Sequence, residues 1–120
     1  MWKKRLDSFR FAFTGLRILF LGQTNARIHA AFSVAAIGLG FWLPISKNEW
    51  LAIIGCIMLV ISLEAVNTAI EYLIDLVSPG HHPLAGAAKD LAAGAVLWAA
   101  MGSVVIGLVV FLPKIWTVLS

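Results

Sequence analysis

In the stretch SLEAVNTAIEYLIDLVS, the side chains of Glu64, Asn67, Glu71 and Asp75 recur at intervals of three, four and four residues. On an α-helix that turns about 100° per residue they fall within about 80° of arc, giving one polar stripe on an otherwise apolar rod. A charged side chain at the centre of a membrane helix costs roughly 2.5 to 3.5 kcal/mol on insertion scales, whereas each Leu or Ile returns only about 0.3 to 0.6. Three carboxyls therefore offset most of the favourable insertion energy of this segment, Asp75 least because it lies nearest the end. Pairing with basic groups on neighbouring helices is the structural alternative, but the nearest candidates, Arg27 and Lys89, stand at the edges of the apolar runs. Free carboxylates with an amide between them suit a hard cation. Magnesium is normally held by one or two carboxylates together with substrate phosphates, so the stripe points to a magnesium nucleotide. Glu64, deepest and in the least polar surroundings, suits a general base for a hydroxyl.

A complementary group follows downstream. Pro83 fits the first turn of a helix, which puts Lys89 and Asp90 in the second turn, beside Glu71 and Asp75. A lysine there neutralises transferring phosphoryl oxygens as a point charge, and Asp90 either orients it or joins the metal shell. The alternative for Lys89 is simple snorkelling to the interface. His81 and His82, in a Pro-Gly turn, are placed to touch phosphates, although two adjacent histidines are poor grounds for a metal site. There is no GxxxxGK[ST] loop, and the only Gly-x-Gly, Gly38-Leu39-Gly40, lies in an apolar run without a third glycine. No Ser-His-Asp or Cys-His arrangement can be assembled. Cys56 is the only cysteine, which excludes an internal disulfide and leaves it a packing role.

The elements that must carry these residues are set by composition: 61% of the 120 residues are apolar and 12% are charged, about half the usual charged share. With a mean hydropathy of +0.94, the expected fold is an all-α membrane protein forming a single domain over 1–120. It comprises an N-terminal amphipathic surface helix (1–24) and three transmembrane helices (25–45, 49–77 and 83–113). Pro44 with Ser46-Lys47-Asn48, and the run Ser78-Pro79-Gly80-His81-His82-Pro83, break the spans apart. In the surface helix Trp2, Leu6, Phe9, Phe13, Leu16 and Phe20 make an apolar stripe, with Lys3, Arg10 and Arg17 stacked beside it. That pattern anchors to acidic lipid, with phosphate binding as a second use. No cleavable signal peptide is expected. With the N-terminus in the cytoplasm, Lys3, Lys4, Arg5, Arg10, Arg17, Arg27 and Lys89 lie inside and only Lys47 and Lys114 outside, which orients the chain in a cytoplasmic (inner) membrane. Ala95, Ala99, Ser103 and Gly107 form a small-residue ridge that permits close helix contact. Nucleic acid is not an expected partner.

Glu64-Ala-Val-Asn67-Thr-Ala-Ile-Glu71-Tyr-Leu-Ile-Asp75, then His82-Pro-Leu84 and Ala88-Lys89-Asp90, closely resembles the signature of the prokaryotic diacylglycerol kinase family, which includes undecaprenol kinases. Asn25-Ala-Arg27-Ile28-His29 is also similar to the start of that family's first span, so the resemblance covers nearly the whole chain. It implies a homotrimer of three-span subunits with shared active sites at cytoplasmic subunit interfaces. It implies that Glu64 is the catalytic base, that Glu71 is a ligand of the magnesium bound to ATP, and that Asn67 and Asp75 support them. His81, His82, Lys89 and Asp90 fall where the family contacts nucleotide phosphates. Gln23 departs from the pattern, standing where many members carry a glutamate as second metal ligand; its carbonyl can coordinate but brings no charge. The implied reaction is in-line transfer of the γ-phosphoryl group of MgATP to a lipid primary alcohol, diacylglycerol giving phosphatidic acid, with undecaprenol as the alternative acceptor. Two other readings are a small transporter or assembly subunit and a relative that has lost activity.

Overall fold

The computed structural model describes all residues 1–120. It contains four helices and no strand: α1 (Trp2–Gly22), α2 (Thr24–Trp42), α3 (Lys47–Val77) and α4 (Pro83–Leu119). Of 99 backbone hydrogen bonds 90 fall inside these helices, so the peptide groups are satisfied within their own segments, as hydrocarbon requires. α3 and α4 are long and apolar enough to cross a membrane; α2, with 19 residues and with Arg27 and His29 near its start, is not in that class. Only 13 of 120 residues are buried, and Phe32, Phe41, Leu59, Trp98 and Val109 are all exposed. The exterior is thus as apolar as the interior, the pattern of a chain solvated by lipid.

One residue separates α1 from α2. Gln23 is extended (φ −115°, ψ 115°), and the bend it makes is clamped by Arg27, whose guanidinium donates to the Leu21 carbonyl at 2.7 Å and to Thr24 Oγ1 at 3.3 Å. The first of these bonds satisfies a carbonyl that the end of α1 leaves without an intrahelical partner, and it puts a cation where the helix dipole is negative. Leu19 and Ala26 pack into the inside of the bend and are fully buried, whereas Trp2, Leu6, Phe9 and Phe13 remain exposed.

At the opposite end of the molecule, Ser46 and Glu49 cap α3 reciprocally, at 3.2 and 2.9 Å. This capping box starts α3 at Lys47, two residues before the expected start of the second span. A Cβ on Gly40 would come within 2.6 Å of the Trp50 ring, so glycine there is a matter of space: it lets Trp50 lie against α2 and against Phe41, with ring centroids 5.0 Å apart. Leu43, Ile53, Val110 and Phe111 form the core at this end.

α4 does not stop at Pro113, where the third span was expected to end, but runs six residues further. Proline removes one backbone donor, yet the turn beyond it is held by other means. Thr117 donates to the Pro113 carbonyl at 2.9 Å, Lys114 lies 3.6 Å from Glu49, and Ile115 packs on the Leu43 cluster. α3 and α4 form the most extensive pair; α2 leans on α3 and barely meets α4. In the ridge, Ala99 is buried and Ser103 half-buried, whereas Ala95 is exposed.

Candidate active site

The polar stripe of α3 grades from closed to open. Glu64 is only 3% exposed and Asn67 is buried, Glu71 is half-buried, and Asp75 is exposed at the end of the helix. Thr68 turns its hydroxyl back to the Glu64 carbonyl at 2.9 Å, leaving the Glu64 carboxyl free of that neighbour. Asn67 Nδ2 donates to Glu71 Oε1 at 3.4 Å, which ties two stripe members together one turn apart. The other end of the same amide, Asn67 Oδ1, is buried with no partner. An orphaned buried acceptor costs about 1 to 3 kcal/mol, so this atom marks a place where a donor or a cation is owed.

Basic partners reach the stripe unequally. Lys89 Nζ lies 2.5 Å from Asp75 Oδ1, so structural pairing accounts for Asp75. Glu64 and Glu71 have no lysine or arginine within ion-pair distance; the nearest basic group to Glu64 is His29, with Nε2 3.8 Å from Glu64 Oε1. The chain holds no group of three or more His, Cys, Asp or Glu residues that could cage a metal. What it offers is an oxygen donor, Glu71, tied in place by Asn67, and a hard cation that also has phosphate ligands needs only one or two protein carboxylates.

The remaining sequence-derived candidates are more dispersed. Gln23 sits half-buried at the α1–α2 bend with no side-chain hydrogen bond. Asp90, beside Lys89, is exposed and unpaired, and it is Asp75 rather than Asp90 that orients the lysine. His81 is exposed in the turn between α3 and α4. His82 is the N-cap of α4, its Nδ1 accepting from the Leu84 amide at 3.1 Å. Nothing in the sequence pointed to the approach of His29 to Glu64. No spacing within one helix could reveal it, because the two residues meet across α2 and α3.

Below His29 an apolar cleft of about 580 Å³ opens between α2, α3 and α4. It runs from His29, Ser33 and Val60 past Cys56 and Leu108 to Ile115.

A model of the family described as prokaryotic diacylglycerol kinase matches residues 10–111. The chain is 48% identical over 93 residues to an undecaprenol kinase of Bacillus subtilis (strain 168), covering 78% of this chain and 76% of that protein. It is 41% identical over 113 residues to a diacylglycerol kinase of Synechocystis, covering 92% of this chain and 63% of that longer protein. It is 30% identical over 95 residues to the diacylglycerol kinase of Escherichia coli (strain K12), covering 79% and 78% of the two. With the matched region containing Glu64, Asn67, Glu71, Asp75 and Lys89, the chain belongs to the prokaryotic diacylglycerol kinase family of membrane lipid kinases.

Proposed function

We propose that this enzyme transfers the γ-phosphoryl group of MgATP to the primary hydroxyl of a membrane lipid, with Glu64 as general base. The observation that carries the reading is a carboxyl buried to 3% exposure with no lysine or arginine partner, one turn from a buried amide oxygen that is also unpartnered. Neither feature serves stability; both suit a site completed by substrate.

The residues divide the work as follows. Glu64 accepts the hydroxyl proton as the lipid oxygen bonds to the γ-phosphorus, the bond from that phosphorus to the β–γ bridging oxygen breaks, and ADP leaves. Glu71, with Gln23, would hold magnesium, which when bound offsets the charge of the β- and γ-phosphates. Asn67, by its hydrogen bond, fixes the Glu71 carboxylate. Lys89, oriented by Asp75, supplies a positive charge to the phosphoryl oxygens. Asp90, His81 and His82 stand at the same end of the α3–α4 hairpin and are assigned to the nucleotide phosphates.

The same reading makes α2 the third span, begun by Arg27 and His29 in the headgroup layer, with α1 along the cytoplasmic surface of the inner membrane. The subunits assemble as a homotrimer with shared sites. Of the two acceptors, undecaprenol has the support of the 48% identical Bacillus relative, and diacylglycerol that of the Synechocystis and Escherichia relatives.

The decisive test is reconstitution in phosphatidylcholine vesicles with γ-labelled ATP and either undecaprenol or diacylglycerol. Label in the lipid extract that depends on added alcohol and magnesium supports the reading. A transporter or an inactive relative leaves the extract unlabelled.

A further inference from the structure

Away from the acidic stripe, α1 and α3 border a groove of about 390 Å³ lined by Thr14, Arg17, Ile18, Leu21, Gly22 and Tyr72. Its polar groups are not equally available. Thr14 donates its hydroxyl to the Arg10 carbonyl at 2.9 Å and presents only a methyl group to an occupant. Arg27, the next base along the chain, is spent on the Leu21 carbonyl and Thr24. Arg17 is exposed and takes part in none of the chain's three ion pairs, which join His29 to Glu64, Lys89 to Asp75 and Lys114 to Glu49. Tyr72, the only tyrosine in the chain, leaves its hydroxyl to the same groove. A guanidinium fork with a hydroxyl beside it matches the oxygens of a phosphate.

Charge and surroundings decide which phosphate. Residues 2–22 hold five basic side chains, Lys3, Lys4, Arg5, Arg10 and Arg17, against one acid, Asp7. Lys3 and Arg10 precede Arg17 at seven-residue spacing on the same side of α1, so the field beside the groove is positive and repels the ammonium of a zwitterionic headgroup. Ile18, Leu21 and the Tyr72 ring make the walls apolar. From Tyr72 the same side of α3 runs on through Ala69, Ala65 and Met58, of which Ala69 and Met58 are exposed. An acyl chain lying on that face would bring its headgroup to Tyr72, whose ring suits the boundary between hydrocarbon and water. A soluble phosphate has no use for such a face.

We infer that this groove seats the phosphodiester of an anionic phospholipid: Arg17 pairs with its oxygens, the Tyr72 hydroxyl donates to them, and one acyl chain follows the outward face of α3. The ligand arrives charged and leaves unchanged. The site requires α1 on the membrane surface but no phosphoryl transfer, so it stands or falls apart from the lipid-kinase reading.

The lone tyrosine supplies the probe. The full chain, with 3-fluorotyrosine at Tyr72, is placed in phosphatidylcholine nanodiscs and titrated with phosphatidylglycerol. Its single fluorine resonance should shift and saturate. Arg17→Gln should raise the half-saturating fraction of phosphatidylglycerol about tenfold, the worth of one charge-assisted hydrogen bond, with Arg17→Lys in between. Arg10→Gln, which removes a charge outside the groove, should change it by no more than about twofold. Thermal melts in phosphatidylcholine alone should coincide for all three variants. Tyr72→Phe should retain less phosphatidylglycerol than the parent chain in native mass spectrometry. A shift that grows without saturating, or that Arg10→Gln weakens as much as Arg17→Gln, reduces the groove to diffuse attraction and overturns the site. Displacement of phosphatidylglycerol by inorganic phosphate or MgATP also overturns it, assigning the groove to a soluble phosphate. Saturable binding in a chain that phosphorylates no lipid alcohol rejects the kinase and keeps the site; phosphorylation without saturable binding does the reverse.

Discussion

Lys89 Nζ and Asp75 Oδ1 meet at 2.5 Å, joining the second turn of α4 to the last turns of α3. The side chains are 40% and 63% exposed, so the pair contributes at most about 1 kcal/mol to stability. Lys89→Met should therefore move Tm by only a few degrees. If the lysine serves phosphoryl transfer, the same substitution lowers kcat by about 10² to 10³, the effect of removing one preorganised group from a developing charge. A kcat that falls no further than stability does would reduce Lys89 to a membrane anchor, and parallel thermal melts and lipid-phosphorylation assays decide it.

Glu64→Gln keeps the shape of a buried side chain and removes its basicity. Turnover should drop by about 10² to 10⁴, the range general base catalysis supplies. The size-exclusion profile in detergent should be unchanged. Wild-type-like turnover excludes Glu64 as base.

Magnesium titrations test Glu71 and Gln23 together. Glu71→Ala should raise the magnesium needed for half-maximal rate about tenfold or more, in keeping with the loss of a charged ligand. Gln23→Glu, which adds a negative charge, should lower it. Opposite signs for the two variants support a shared ion; an unmoved magnesium dependence in both rejects it.

Gly40→Ala probes packing remote from the chemistry. The new methyl group meets the Trp50 ring at 2.6 Å, so Trp50 must leave Phe41 or α2 must lift from α3. Either movement costs about 1 to 3 kcal/mol. Thermal unfolding should register that loss while KM for MgATP stays constant, because the site lies at the other end of α3.

Features that repeat within one helix were legible in the sequence. The stripe Glu64–Asn67–Glu71–Asp75 lies on one face because helical geometry alone fixes it, and Pro83 opens α4 as its rigid φ predicts. The Lys89–Asp75 contact followed from the short turn that folds α4 back on α3. Relationships between distant segments were not legible. His29 meets Glu64 only because the 31-residue α3 brings its inner half back beside the start of α2. The orphaned oxygen of Asn67 depends on which way an amide turns after Nδ2 has chosen Glu71. That His82 also caps α4, its Nδ1 accepting from the Leu84 amide, depends on how the turn delivers the ring and not on spacing along a helix. α4 continues past Pro113, the expected end of the third span, because the contacts of Thr117 and Lys114 carry the helix onward.

The bend at Gln23 also fixes a phase. Since a lone extended residue joins two helices and Arg27 rivets both sides of it, α1 cannot roll about its own axis independently of α2. The direction in which Trp2, Phe9 and Phe13 point is thereby locked to the azimuth of α2. One alanine inserted after Gln23 would rotate that direction by about 100°, turning the bulky rings to a different side while leaving every residue of the α3 stripe where it was.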